Sequence, residues 1–252
     1  MEQWQDQAIV LAVRRHGENG AIASLLTAEQ GRHAGYVRGA QGTKMRGTLE
    51  IGNLVDANWR ARVSDDLGSL SLELDRSPAA HFMQDALKLA ALQSACALCD
   101  SALPEREGHA GLFHGLNALF DALQSEVWAA AYVMWEIALL KELGFALDLS
   151  HCAAGGDDQS LAYVSPKTGR AVSEAAGEIY KARLLALPEF LKPGGHMAGD
   201  EDVITGLKMT GYFLEHWVYA HHTKGVPEAR LRFEARFAKT VDDNVSTLDA
   251  AE

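Results

Sequence analysis

Over residues 1–76 the apolar positions come in short runs separated by glycine-rich turns, with a period near two. Residues 9–13 (IVLAV) form an apolar run that ends on Arg14 and Arg15, and a turn lies between Gly17 and Gly20. Residues 21–27 then lead through Glu29, Gln30 and Gly31 into residues 32–38, which reads as a hairpin. A glycine-rich stretch, 39–47, separates it from a further run at 54–63. Leu70, Leu72 and Leu74 alternate with Ser69, Ser71, Glu73 and Asp75, the pattern of a half-buried strand. Five short strands with turns between them predict a small barrel rather than a sandwich, and a five-stranded OB-type β-barrel is the natural candidate.

Pro78 ends this pattern and the period changes. Residues 81–100, 112–123 and 127–143 are rich in Ala and Leu and predict helices, the last stopped by Gly144 and apolar nearly all round, hence interior. Residues 145–172 read as loop. Ser173 can cap a short helix to Arg183, and Pro188, Pro193, Gly194 and Gly195 punctuate the next stretch. Asp200, Glu201 and Asp202 open a helix to about His222, and Pro227 starts a last one to about Lys239. The class is therefore α+β: an OB-fold domain over 1–77, a mainly α-helical domain over 78–239, and an acidic tail, 240–252, read as disordered.

Composition sharpens this. Of 252 residues, 48% are hydrophobic and 23% charged, a globular balance. Three cysteines, at 96, 99 and 152, cannot make a disulfide framework and favour a reducing compartment. Acids precede the first short apolar run, the reverse of a signal peptide, and residues 127–140 are too short to span a bilayer. A soluble, cytoplasmic protein is expected. The net charge of −11 argues against a polyanion partner until it is resolved by segment. Between Arg14 and Arg62 eight basic residues face four acids, a local +4 on a remainder of −15. Such asymmetry fits either a localised polyanion-binding face or a solvated surface that is simply rich in arginine.

Alternation sorts the side chains. Along residues 54–63, Val55, Ala57, Trp59, Ala61 and Val63 share one face, and Asp56, Asn58, Arg60 and Arg62 the other. Trp59 is thereby assigned to the core, while Arg60 and Arg62 point together into solvent. Arg32, Tyr36 and Arg38 share a face with Ala34, and two arginines around an aromatic suit phosphates and an unpaired base. Lys44 and Arg46 lie in the glycine-rich loop, where a flexible backbone lets them meet a polyanion. None of these forms a base-reading code, so binding through Arg14, Arg15, Arg32, Tyr36, Arg38, Lys44, Arg46, Arg60 and Arg62 should be sequence-independent and salt-sensitive. A second basic cluster, Arg230, Arg232, Arg236 and Lys239, sits on the last helix and either extends this path, meets an acidic partner or is plain solvated surface.

Catalytic signatures are missing: there is no P-loop, no G-x-G-x-x-G after a strand, no G-x-S-x-G and no H-E-x-x-H. His216, His221 and His222 are not spaced to share a metal-binding face, and Cys96 and Cys99 lie within an apolar helix as buried small hydrophobes. No enzyme, cofactor or catalytic residue is expected.

The residues also carry a resemblance. The opening strand Ala8-Ile9-Val10-Leu11, the Arg15–Glu18 turn, Leu26-Thr27 leading to Gly31-Arg32, Tyr36-Val37-Arg38-Gly39, and Leu49 to Gly52 before the next strand look like the start of the RecO family. Residues 136–148 (EIALLKELGFALD) and 163–173 (YVSPKTGRAVS) resemble its later part, so the likeness runs over about residues 4–240 in order. It implies an OB barrel joined to a helical domain and a recombination mediator without turnover. That mediator binds single- and double-stranded DNA, anneals complementary strands, acts with RecR, engages the acidic tail of single-strand-binding protein and helps load RecA. The implied setting is the nucleoid-associated cytoplasm, with no membrane partner. Many members hold zinc with two C-x-x-C pairs in the loop matching 145–176. Here Cys152 remains, but Gly155, Ser173 and Ala176 occupy the other positions, so a zinc-finger-like loop without metal is expected, held by packing of Leu161, Tyr163 and Tyr180. The rival reading is an adaptor whose barrel recruits acidic protein tails without strong DNA binding.

Overall fold

The computed structural model describes residues 2–63 and 66–249, and five strands in it close on themselves: β1 (Glu2–His16), β2 (Gly20–Thr27), β3 (Arg32–Val37), β4 (Leu54–Ala61) and β5 (Ser69–Arg76). Their order is β1-β2-β3-β5-β4, and β4 returns to β1. All neighbours are antiparallel except β3 and β5, which touch in a short parallel contact at Tyr36–Ser69 and Val37–Leu70. This is the five-stranded OB-type barrel that the alternation predicts. The first strand is longer than its apolar run, because Gln3, Gln5 and Gln7 face water while Trp4 packs on the barrel core.

The barrel interior is filled by Ala8, Val10, Ala23, Leu25, Val55, Ala57, Trp59 and Leu70. Small residues opposite Trp59 make room for it: a Cβ on Gly35 or Gly68 would lie 3.2 and 2.4 Å from its ring, and Gly68 also sits at φ +67°. A bulge between Val10 and Ala12 changes the register of β1. Ile9, Leu11 and Leu26 lie outside the barrel core yet are fully buried, and α3 (Ala86–Ala102) packs on β1 and β2 there. Residues 9–13 are therefore apolar on both faces because both faces are covered. Between β3 and β4, residues 43–48 form a short helix, α1 (Thr43–Thr48), with Met45 packed on the barrel core. The glycine-rich stretch is thus partly helical rather than wholly loop.

After the barrel come α2 (Pro78–His81), α3 and α4 (Ala110–Ala122). The helix expected from residue 81 begins at Ala86, where the Asp85 carboxylate accepts from the N–H groups of Leu87 and Lys88. By contacts, residues 1–121 and 227–233 form one compact unit, in which α3 is packed on the barrel, and residues 122–226 and 234–252 a second.

In the second unit, α5 (Trp128–Glu142) packs against α7 (Asp200–Phe213) and buries Tyr132, Val133, Trp135, Leu139 and Leu140, while Met134 and Ala138 are exposed, so it is not interior all round. Its one buried acid, Glu136, accepts a hydrogen bond from the Thr210 hydroxyl at 2.5 Å. The segment expected as loop holds a small antiparallel sheet of β6 (Leu161–Val164), β7 (Ala171–Ser173) and β8 (Leu185–Ala186). The helix expected to run from Ser173 to Arg183 is instead α6 (Glu174–Gly177) followed by a 3₁₀ segment, Glu178–Arg183. Helix α7 gives way at Leu214 to a wide turn ending at Val218, in which the Tyr219 N–H donates to the Leu214 carbonyl.

Two expectations about side chains and chain ends need correction. Leu161 is buried and Tyr163 packs over Gly177, but Tyr180 is 58% exposed and does not secure the loop. The loop is held instead by the sheet and by Asp158, which accepts from the Cys152 N–H at 2.6 Å and pairs with His151 at 2.9 Å. The last helix, α8, runs Glu228–Asp249, so residues 240–249 are helical where a disordered tail is expected. Residues 250–252 of that tail lie outside the described residues.

Candidate nucleic-acid interface

Register places the outward side chains of the barrel in rows. Gln3 on β1 lies opposite Arg60 on β4, Arg60 opposite Ser69 on β5, Ser69 beside Tyr36 on β3, Tyr36 opposite Ile22 on β2, and Ile22 opposite Arg14 back on β1. The path returns to β1 eleven residues further on, as expected of a narrow, steeply staggered barrel. With neighbouring strands about 4.8 Å apart, Arg60 and Arg14 each lie two strands, or roughly 10 Å, from Tyr36. Arg62 and Arg38 extend the row to either side, each two residues beyond Arg60 and Tyr36 in opposite strand directions, and both are exposed.

The rows beside it change in charge. Gln5, Asn58 and Ser71 form the next row across β1, β4 and β5, and Gln7, Asp56 and Glu73 the one after. The outer surface of these three strands therefore grades from cationic to neutral amide to anionic. Asn58 also braces the cationic end, since its carbonyl accepts from Arg60 Nε at 3.2 Å. Tyr36 is half-buried, lying over Gly20 with its ring edge-on to His16 at 5.9 Å.

Lys44 and Arg46 are exposed on α1, and their position depends on a buried side chain that composition did not single out. Asn53 is fully buried; its amide donates to the carbonyls of Gly47 at 2.7 Å and Thr48 at 3.2 Å, and its own carbonyl accepts from the Ser77 hydroxyl at 2.7 Å. It thereby satisfies carbonyls that the end of a helix leaves open. Nothing in the local sequence marks Asn53 for this task, because its partners are chosen by the fold.

Arg14, Arg15, Arg38, Lys44, Arg46, Arg60 and Arg62 are all exposed. Arg32 is not among them. Its guanidinium is turned inward, donating from Nε to the Leu103 carbonyl at 2.8 Å and lying 3.3 Å from Glu105 and 3.7 Å from Asp100. Arg32 fastens β3 to the end of α3, and its charge is compensated. On α8, Arg230 is fully buried, so it belongs to no surface patch, whereas Arg232 is exposed and paired with Glu228 at 2.9 Å. Arg236 and Lys239 are exposed on the same helix.

Other sequence candidates fall in place as packing. Cys96 and Cys99 are fully buried in α3, and burial pushes both thiols up. His216 stacks on Tyr212 and His222 meets Tyr219 edge-on. Cys152 is different: burial raises its thiol, but its hydrogen bonding with the Ser173 hydroxyl and with the N–H groups of Ser173, Ala154 and Gly156 outweighs this and brings it to about 7. A zinc site does not fit here, since one sulfur faces Ser173 where further ligands would be needed. Among the described residues no group of three or more His, Cys, Asp or Glu could hold a metal. Nor is any described helix long and apolar enough to cross a membrane.

Comparison with known proteins agrees with this architecture. The family model described as recombination protein O N terminal matches residues 1–76, the barrel, and that described as recombination protein O C terminal matches residues 83–225. The chain is 56% identical to the DNA repair protein RecO of Rhodospirillum centenum over 239 residues, covering 94% of this chain and 95% of that protein. It is 49% identical to that of Rhodospirillum rubrum over 246 residues (95% and 98%) and 50% identical to that of Jannaschia sp. over 230 residues (91% and 93%). The chain, with its polarised barrel and helical continuation, belongs to the RecO family of DNA repair and recombination proteins.

Proposed function

We propose that the outer row Arg60–Ser69–Tyr36–Ile22–Arg14, with Arg38 and Arg62 beside it, binds single-stranded DNA and promotes its annealing. The observation that carries this reading is the row itself: cations at roughly 10 Å on either side of a half-buried aromatic ring, on a surface that turns anionic two rows away. Cations meet phosphates, Tyr36 offers a face to an unpaired base, and the anionic flank disfavours indiscriminate adhesion. Duplex DNA can meet the same cations through its phosphates alone. The protein works by holding and aligning strands rather than by chemical turnover, in the cytoplasm at the nucleoid. The resemblance to the RecO family noted in the sequence implies a further step, in which the protein acts with RecR, engages the acidic tail of single-strand-binding protein and helps RecA onto the strand.

The test is fluorescence anisotropy with a labelled single-stranded oligonucleotide over a range of salt. Four phosphate contacts give a slope of log affinity against log salt near −3, or roughly 50-fold weaker binding at 200 than at 50 mM salt. Reversing Arg60→Glu and Arg62→Glu together should remove two contacts and bring the slope to about −1.5. Unchanged binding by that variant overturns the assignment. Weak, salt-insensitive DNA binding with tight capture of an acidic peptide by these arginines would instead favour the adaptor.

A further inference from the structure

The hairpin loop between β4 and β5 carries Arg62, and its second half is held in an unusual way. Three successive carbonyls are taken by donors from three different elements: Asp66 by Arg106 Nη2 at 3.1 Å, Leu67 by Trp59 Nε1 at 3.0 Å, and Gly68 by the Tyr36 N–H at 3.0 Å. The Asp66 N–H in turn donates to the carbonyl of Val63, the residue next to Arg62, at 3.2 Å.

Arg106 comes from the connection between α3 and α4, which is itself fixed against the barrel. Its N–H donates to the Arg32 carbonyl at 2.8 Å, and Glu105 bridges Arg32 in parallel. The Glu107 carbonyl lies so close over Gly31 that a Cβ there would be 1.8 Å away. At Arg106 the chain adopts φ +64°, the one positive φ on a non-glycine among the described residues. Arginine gains nothing from that conformation, which costs about 1 kcal/mol or more and which glycine adopts freely. An arginine in a place that suits glycine points to its side chain.

We propose that Arg106 is a positioning residue for the DNA-binding hairpin: by holding the Asp66 carbonyl it fixes the loop that presents Arg62 beside Arg60. The proposal rests on the reading of the barrel face given above. Its distinguishing consequence is an effect on affinity without an effect on ion release, because a residue that only orders the loop displaces no counterion, whereas one that meets a phosphate lowers the slope by about 0.7.

The experiment compares the wild type with Arg106→Gly, which suits the backbone but lacks the donor, and Arg106→Gln, which keeps a donor but not the charge. Anisotropy with a single-stranded oligonucleotide is measured over a range of salt, and amide hydrogen exchange is followed across residues 66–69 and at Tyr36. In Arg106→Gly we expect binding weakened about three- to tenfold, an unchanged salt slope and faster exchange at those amides. In Arg106→Gln we expect partial or full recovery of affinity at the same slope. A slope lowered by about 0.7 in both variants makes Arg106 a phosphate contact and overturns the proposal, as do affinity and exchange unchanged in Arg106→Gly. If the wild type itself shows no salt-dependent binding, it is the reading of the barrel face that fails, and the clamp loses its proposed purpose with it.

Discussion

His33 should make the barrel lose stability as pH falls through the weakly acidic range. Its ring is 6% exposed, lies edge-on between Trp4 and Trp59 with centroids 5.0 and 4.7 Å away, and has no hydrogen-bond partner on either nitrogen among the described residues. Burial first, and then the Arg106 guanidinium, lower it to about 4 against an ordinary 6.5, with Glu105 opposing. Above 6.5 the ring is neutral in the folded and unfolded chains alike, and its contribution is complete. Between 6.5 and 4 only the unfolded chain takes up the proton, so acid favours unfolding; below 4 the loss is complete. The gap is worth roughly 3 kcal/mol, of which about 2 is gone by pH 5. Urea unfolding followed by tryptophan fluorescence at pH 7, 6 and 5 measures this. The comparison is with His33→Phe, which keeps an aromatic ring between the two indoles but cannot titrate. Carboxylates elsewhere titrate equally in both proteins, so the readout is the difference in pH dependence, with the wild type losing about 2 kcal/mol more than the variant between pH 7 and pH 5. Parallel curves would refute the argument and show that the buried ring is hydrated or has found a donor.

Arg32→Ala should cost about 1–3 kcal/mol in thermal or urea unfolding while leaving the salt slope of DNA binding as in the wild type, since Arg32 is spent on Leu103, Asp100 and Glu105; a lowered slope would return it to the interface. Asn53→Ala leaves the Gly47 and Thr48 carbonyls without their donor and should cost about 1–3 kcal/mol, with faster proteolysis within residues 42–48 where Lys44 and Arg46 sit. Alkylation of Cys152 by iodoacetamide, read site by site by mass spectrometry, should rise with a midpoint near pH 7 that Ser173→Ala moves upward, with Cys96 and Cys99 unmodified throughout. A midpoint at an ordinary thiol value would show that the hydrogen bonds around that sulfur are not made.

The chain by itself made legible whatever depends on near neighbours. The alternation in β4 and β5 assigned Trp59 inward and Arg60 and Arg62 outward, because strand geometry allows one face every second residue. Arg14 and Arg60 are outward for the same reason, each lying in a paired strand. The tertiary structure decided what depends on distant partners. Arg32 looked equivalent to Arg38 by alternation, but its acceptor, Leu103, is 71 residues away, and nothing local records that a helix end would arrive there. Arg230 shares the composition of an exposed basic helix yet is fully buried. The row from Arg60 through Tyr36 to Arg14 required strand order and register, since those residues are far apart in sequence and meet only when β4 pairs with β5 and β5 with β3. Local periodicity chose the face each side chain points to; the closure of the barrel chose its neighbours.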